Sequence, residues 1–360
     1  MNAILFIIVA LVLYMLWVPT VKRGLDRLSC RRSFSRDTVF AGEEVELVEV
    51  IRNDSPYLIP WLRLESRISP HLRLGRQEDM DVSGQMYYCS LFAPMPRQQI
   101  RRRHRVQCLH RGVFDLGSAS LTAGDLLDTV RFHRKQELSA SILVYPRLLE
   151  DDRLPYPLSL LLGDLASRRM LLDDPFLFRG IRAYLPGDPV RDIHWPATAR
   201  MNQAQLRLHD PSTSVRLLVV LNGQYESMQW QPRLPEDQLP MLEEAIRLAA
   251  TLCCKALEAG LEAGFATNLS LKGEETPTLL PPSEDNNTKE LLLTAFARLE
   301  DSHRQTFPLL LDSLNTYTGL DILVLSCYED EAIRNRMDQL RQAGNRVSFH
   351  LLETGKGGCQ

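Results

Sequence analysis

The residues most able to do chemistry gather between Phe178 and Arg200, in the run FRGIRAYLPGDPVRDIHWPATAR. Arg182, Arg191 and Arg200 stand close in sequence to Asp188 and Asp192. That set suits either a folded knot of ion pairs or an arginine and aromatic surface that grips a partner or an anionic ligand. His194 near Asp192 has the makings of a base with an orienting carboxylate, and a hydrolase using the two is one reading. The simpler reading makes His194 an ion-paired histidine of the knot. No Gly-x-Ser-x-Gly, His-Glu-x-x-His or Walker A sequence occurs, and the histidines at 71, 104, 110, 133, 194, 209, 303 and 350 show no metal-ligand spacing. Asp151-Asp152 and Asp173-Asp174 lie in linker sequence as solvated carboxylates. The sequence therefore points away from catalysis.

Within the run, Pro186-Gly187-Asp188-Pro189 is a turn signal. Asp188 is a good helix N-cap with Pro189 at the first helical position, and Arg191 and Asp192 follow on the first turn. Trp195 is then expected to pack inward, and Pro196 to restart or kink the helix.

The chain that positions these residues has 360 residues, a formal net charge of −3, 44% hydrophobic and 24% charged residues. That composition excludes a mainly disordered chain, a collagen-like repeat and a polytopic membrane protein, and supplies no global basic field for nucleic acid. The seven cysteines (30, 89, 108, 253, 254, 327 and 359) form no Cys-x-x-Cys pair and read as reduced thiols.

Residues 1–21 carry no charged side chain, and Ala3 to Val18 is unbroken apolar sequence. As a helix those residues cover about 24 Å, against a hydrocarbon core of about 30 Å. The expectation is a single transmembrane helix with Tyr14 and Trp17 near the interface. A cleaved signal peptide would want a positive start and a small-residue cleavage site, and neither is present. Lys22, Arg23, Arg27, Arg31 and Arg32 give a positive-inside signal. The predicted location is the cell inner membrane, single-pass, with the bulk of the chain cytoplasmic.

From about Asp37 to Pro146 the pattern has period two, broken by turns, and favours a β-sandwich. Arg97 to Arg111 holds six arginines and no acid. It reads first as a charged strand that blocks edge pairing. Contact with anionic lipid beside the anchor is the second reading, and nucleic acid is last because no aromatic residue interleaves the stripe. From Val215 onward apolar strands alternate with amphipathic helices, which implies a parallel sheet covered on both faces, with ligands at the strands' C-terminal ends. The expected fold class is α+β multidomain: an N-terminal transmembrane helix, a β-sandwich, then an α/β parallel-sheet domain. The boundaries are a 1–21 anchor, a 22–36 basic juxtamembrane segment, a 37–146 β-sandwich, a 147–177 linker, a 178–354 motif-plus-α/β domain and a 355–360 flexible tail.

The spacing of Arg182, Tyr184, Pro186, Gly187, Asp188, Arg191, Ile193, Trp195 and Ala199-Arg200 resembles the signature of the bacterial domain-of-unknown-function family fifty-eight. Ala41-Gly42-Glu43-Glu44-Val45, His110 to Gly117, Gly124 to Leu127 and Val144-Tyr145-Pro146 extend the resemblance over most of the chain. It implies a membrane-anchored protein with a β-sandwich and a von Willebrand factor A-like (Rossmann-type) domain, associated with MoxR-type AAA+ ATPases. The expected function is a non-catalytic interaction or scaffold protein, partnering such an ATPase in assembly or maturation of a client. An A-domain of this kind holds Mg²⁺ through Asp-x-Ser-x-Ser after its first strand. Here the matching positions are Asn222, Gln224 and Glu226, and after the later strand Ser326 is followed by Cys327. The site reads as degenerate, so the expectation is no cofactor, with a metal-dependent ligand binder as the alternative and Mg²⁺ as the ion to titrate.

Overall fold

The computed structural model describes residues 14–15, 17–75, 80–81, 87–172, 178–185, 190, 193–209, 215–227, 229, 231–273, 278–285 and 287–352. Contacts divide the chain into two compact units, Met1–Arg147 and Leu148–Gln360.

In the first unit the described helical residues are 14–15 and 17–26, the latter called α1. Ten strands follow: β1 (Leu28–Phe34), β2 (Thr38–Phe40), β3 (Glu44–Asn53), β4 (Trp61–Arg67), β5 (Leu72–Leu74), β6 (Met80–Asp81), β7 (Tyr87–Phe92), β8 (Gln99–Cys108), β9 (Gly112–Gly124) and β10 (Arg131–Tyr145). They form a four-stranded sheet in the order β1-β3-β8-β5 and a six-stranded sheet in the order β2-β10-β9-β4-β7-β6. Alternation buries one face of each: in β1, Leu28, Cys30 and Phe34 point in while Ser29, Arg31 and Ser33 point out. Leu47, Ile51, Leu62, Leu64, Val106, Leu116 and Leu121 belong to the same core.

The second unit holds α2 (Tyr156–Leu172), β11 (Phe178–Ala183), α3 (Trp195–Met201), β12 (Gln205–His209), β13 (Arg216–Leu221), α4 (Leu239–Glu258), β14 (Glu262–Thr267), β15 (Leu269–Leu271), β16 (Thr278–Ser283), α5 (Thr288–Arg298), β17 (Leu299–His303), α6 (Phe307–Ser313), β18 (Asp321–Ser326), α7 (Glu331–Gln342) and β19 (Arg346–Leu351). Its main sheet has the order β16-β14-β13-β18-β19. Leu217, Val219 and Leu221 of β13 pack on one side with α4 and α5, and Leu218 and Val220 pack on the other with α6 and α7. β15 pairs with β17, and β11 with β12, in two small antiparallel sheets.

Several expectations are corrected. Among the described residues no helix is long and apolar enough to cross a membrane. Most of the expected anchor (1–13 and 16) lies outside the described residues. Where its end is described, Val21 is buried and Trp17 packs beside it on the sandwich core, joined there by Leu25 of the expected juxtamembrane segment. Apolar residues assigned to lipid there find protein instead, and the single-pass inner-membrane location has no support in the described structure. Residues 28–34, expected in a juxtamembrane segment, form the edge strand β1.

Nor is the fold a Rossmann-type, von Willebrand factor A-like parallel sheet. The chain is strand-rich, and the main sheet of the second unit is mixed: β16 runs antiparallel to β14. The reason is local. Gly264 lets β16 press against β14, since a Cβ there would lie 2.5 Å from Pro282 N and 2.6 Å from Leu280 O. The prolines of β16 suit an edge, where no further strand needs their missing N–H. At Asn268, between β14 and β15, the chain passes from the main sheet to a small one.

Candidate functional site

Two places in the second unit carry the residues singled out from sequence. The first is the lobe formed by β11, α3 and β12. β11 and β12 pair antiparallel, with Ile181 opposite Arg207 and Ala183 opposite Gln205. The chain between them closes back on that hairpin. Tyr184 N donates to Ala204 O at 2.8 Å, His194 N donates to Gln205 O at 2.7 Å, and Ile193 bridges to Leu206.

A seven-residue helix is marginal by itself, and α3 is held by its ends. The N-cap is His194, whose Nδ1 accepts from Ala197 N at 3.0 Å. Pro196 occupies the first turn, and Asn202 closes the helix in the left-handed region at φ 52°. Thr198 Oγ1 accepts from Gln205 N at 2.9 Å, which ties α3 to β12. α3 itself begins at Trp195. Pro186, Gly187, Asp188, Pro189, Arg191 and Asp192 lie outside the described residues, so the proposed His194–Asp192 pairing does too.

No residue of α3 is buried. Trp195, expected to pack inward, is 66% exposed, and Met201 is 67% exposed. Ile181, Leu185 and Val190 on the same lobe are also exposed. Arg200 is exposed and Arg182 and Tyr184 are half-buried among them. Arg182 Nη1 donates to Ala183 O at 3.1 Å. The lobe can offer an aromatic ring, aliphatic surface and guanidinium groups to a partner, the residue types that anchor protein interfaces.

The second place is the C-terminal ends of β13 and β18. The structure brings Asn222, Gln224 and Ser326 together and occupies their polar atoms. Asn222 Nδ2 donates to Ser326 Oγ at 2.9 Å, and Asn222 Oδ1 accepts from Gln224 N at 2.9 Å. Gln224 Oε1 accepts from Phe307 N at 2.7 Å and from Asn268 Nδ2 at 3.4 Å. Ser326 Oγ donates to Tyr328 O at 2.7 Å. Glu226 is exposed, and no described hydrogen bond joins its carboxylate to this cluster. Burial pushes the neighbouring Cys327 thiol up to about 12. The cavity beside these residues, toward Leu242 and Ala245, encloses only about 10 Å³.

A divalent cation needs oxygens turned toward it and carrying charge. These oxygens already serve amide donors, so the set does not fit an octahedral ion. Among the described residues no group of three or more His, Cys, Asp or Glu side chains is placed to hold a metal.

Sequence reasoning missed Asn268, whose Oδ1 accepts from Gly223 N at 2.7 Å and so holds the loop after β13. Its signal was an amide side chain inside an otherwise apolar stretch. Also missed was the polar cluster in the sandwich core, where Arg32, Glu49, Tyr88 and His104 meet.

Three solved structures match part of the chain. A CARDB domain from Pyrococcus furiosus in complex with di-metal ions is 13% identical at a TM-score of 0.22, covering 32% of this chain and 91% of its own. A non-cellulosomal cohesin from Archaeoglobus fulgidus is 9% identical at 0.23, covering 32% and 91%. The seventh ScaB type I cohesin from Pseudobacteroides cellulosolvens is 14% identical at 0.21, covering 34% and 96%. Likeness at these scores carries no functional argument. No curated protein matches the chain. Residues 180–318, which span the lobe and the strand-end loop after β13, match the family described as "Protein of unknown function DUF58", and that match supports membership of the DUF58 family.

Proposed function

We propose that this chain is a non-catalytic interaction protein whose docking surface is the lobe of β11, α3 and β12. The observation that carries the reading is the exposure of Trp195 and Met201 on a helix that buries nothing of its own. Exposed apolar surface costs a folded chain solubility and is characteristic of binding sites. Trp195 beside Arg200 has the composition of an interface anchor with a polar rim. The partner we propose, from the resemblance of the motif, is a MoxR-type AAA+ ATPase, acting with this chain in assembly or maturation of a client.

The test is capture with a photo-crosslinker placed at position 195 of the full-length chain in its native host. Recovery of the ATPase from wild type, and its loss with Trp195→Ala and Met201→Ser combined, is the expected result. Recovery that ignores the double substitution, or crosslinking to no ATPase, overturns it.

A further inference from the structure

Among the described residues, the outer face of the four-stranded sheet in the first unit carries an excess of positive charge. Side chains alternate along β8, so Arg101, Arg103 and Arg105 point out while His104 and Val106 point in. Arg31 of β1 lies in the same cross-strand row as Arg101, with Val50 between them. Arg73 of β5 stands opposite Gln107, next along the row to Arg105. Two of the arginines on this face have acids: Arg103 pairs with Glu46 at 3.6 Å, and Arg52 with Asp54 at 2.6 Å. Arg31, Arg73, Arg101 and Arg105 are exposed and have no acidic partner among the described residues. On β3, Glu46 stands opposite Arg105 in register and Glu44 stands opposite Gln107 in the row of Arg73, so the arginines of the face outnumber its acids without being free of them.

Gathering like charges on one sheet face is unfavourable for the isolated fold, and the chain as a whole is slightly acidic, at −3. The face has a middle that is neither aromatic nor apolar enough to choose other occupants. Val48 is buried and Val50 half-buried, so no exposed apolar side chain on the face itself can enter a bilayer. No ring stands there to stack a base. What the face offers is a row of forked guanidinium groups along a strand, Arg101 to Arg105 spanning about 13 Å. Guanidinium forks match carboxylates in bidentate geometry. The alternate side chains of an extended peptide repeat at about 6.6–6.8 Å, the spacing of the arginines themselves. Glu46, opposite Arg105 in register, reaches diagonally to Arg103 and shows the contact a partner's carboxylates would repeat along the row.

We infer that this face is a docking surface for an acidic, extended polypeptide segment of a partner protein, held by Arg31, Arg73, Arg101 and Arg105. The inference is independent of the lobe described above, lies in the other unit and fails or stands separately.

The experiment uses the full-length chain and a fluorescein-labelled twelve-residue peptide of alternating Glu and Thr, followed by fluorescence anisotropy. The same peptide with Gln for Glu, a twelve-nucleotide oligothymidine and phosphatidylglycerol vesicles are the comparison probes. Binding of the Glu peptide that weakens with salt, with no binding of the Gln peptide, is expected. Arg101→Gln with Arg105→Gln should weaken it by about tenfold or more, while Arg341→Gln, in the other unit, leaves it unchanged. Unchanged melting temperatures establish that the variants fold. Failure to bind the Glu peptide at low salt, indifference to the Gln pair, or tighter binding of the oligonucleotide or the vesicles than of the peptide overturns the inference.

Discussion

Arg32 and Glu49 face each other inside the sandwich, with Arg32 Nη2 3.1 Å from Glu49 Oε1 and both side chains shut off from solvent. The hydrogen bond itself runs from Arg32 Nε at 3.2 Å, while the Nη2 contact is an ion pair without hydrogen-bond alignment. Tyr88 OH donates to the same oxygen at 2.7 Å, and His104 Nε2 lies 3.0 Å from Oε2. Arg32 Nη1 also donates to Ser66 Oγ at 3.0 Å. One carboxylate thus ties β1, β3, β7 and β8 together, across both sheets. Truncating it strands a buried guanidinium, so Glu49→Ala should cost about 3–5 kcal/mol, read as an earlier urea transition of the first unit.

The same carboxylate makes stability depend on pH. Burial by itself would raise its pKa. The His104 hydrogen bond, the Arg32 charge and the Tyr88 hydroxyl outweigh that and hold it below the ordinary value of 4.5. A carboxyl whose folded pKa is depressed stabilises fully above its unfolded value and loses that contribution as pH falls through the folded one. Wild type should therefore lose stability below about pH 4.5 more steeply than Glu49→Gln, in melting temperatures taken across the acid range. Parallel curves would contradict this.

At the strand ends, the amide network predicts indifference to divalent cations. A ligand that binds only the folded state stabilises it by RT ln(1 + c/Kd), c being the free ligand concentration, and so raises the melting temperature. Millimolar Mg²⁺ or Mn²⁺ should leave the transition of the second unit where it is, because the Asn222 and Gln224 oxygens are engaged with the Gln224, Phe307 and Asn268 donors. Stoichiometric binding by calorimetry would contradict it. Asn222→Ala, which removes the bonds to Ser326 and to Gln224 N, should cost about 1–3 kcal/mol.

Gly264 marks where β16 joins the main sheet. An added Cβ would meet backbone atoms of Leu280 and Pro282 inside 3 Å, and backbone cannot step aside as a side-chain tip can. Gly264→Ala should destabilise the second unit by about 1–3 kcal/mol and raise hydrogen exchange in β16 before the parallel strands. Exchange that rises uniformly would place the strain elsewhere.

What the sequence made legible follows from period. Alternation marked the sandwich strands, and the same arithmetic places Glu49 on the inner face with Val45, Leu47 and Ile51. Its burial was therefore within reach of a two-residue count, but its partners come from β1, β7 and β8, and no local pattern pairs them. The continuous apolar runs of β13 and β18 announced fully buried strands, yet the direction of β16 depends on a close approach at Gly264 that hydrophobicity does not encode. The apolar leader suggested lipid, and only tertiary contacts show Val21 on the sandwich core. Trp195 was misjudged for a related reason: an aromatic residue is presumed to face a core, and no residue of α3 is buried.

The N-cap of α3 gives the last prediction, because it separates a capping histidine from a catalytic one. His194 Nδ1 accepts from Ala197 N, a service that Asn also performs at this position and Ala does not. Loss of the cap should cost about 1 kcal/mol, enough to open a seven-residue helix with no buried side chain while the main sheet stays folded. His194→Ala should therefore raise hydrogen exchange across Trp195 to Met201 and weaken any partner held by Trp195, and His194→Asn should restore both. A histidine needed as a base would not be replaced by asparagine, so a function lost equally in the two variants would reject the capping role.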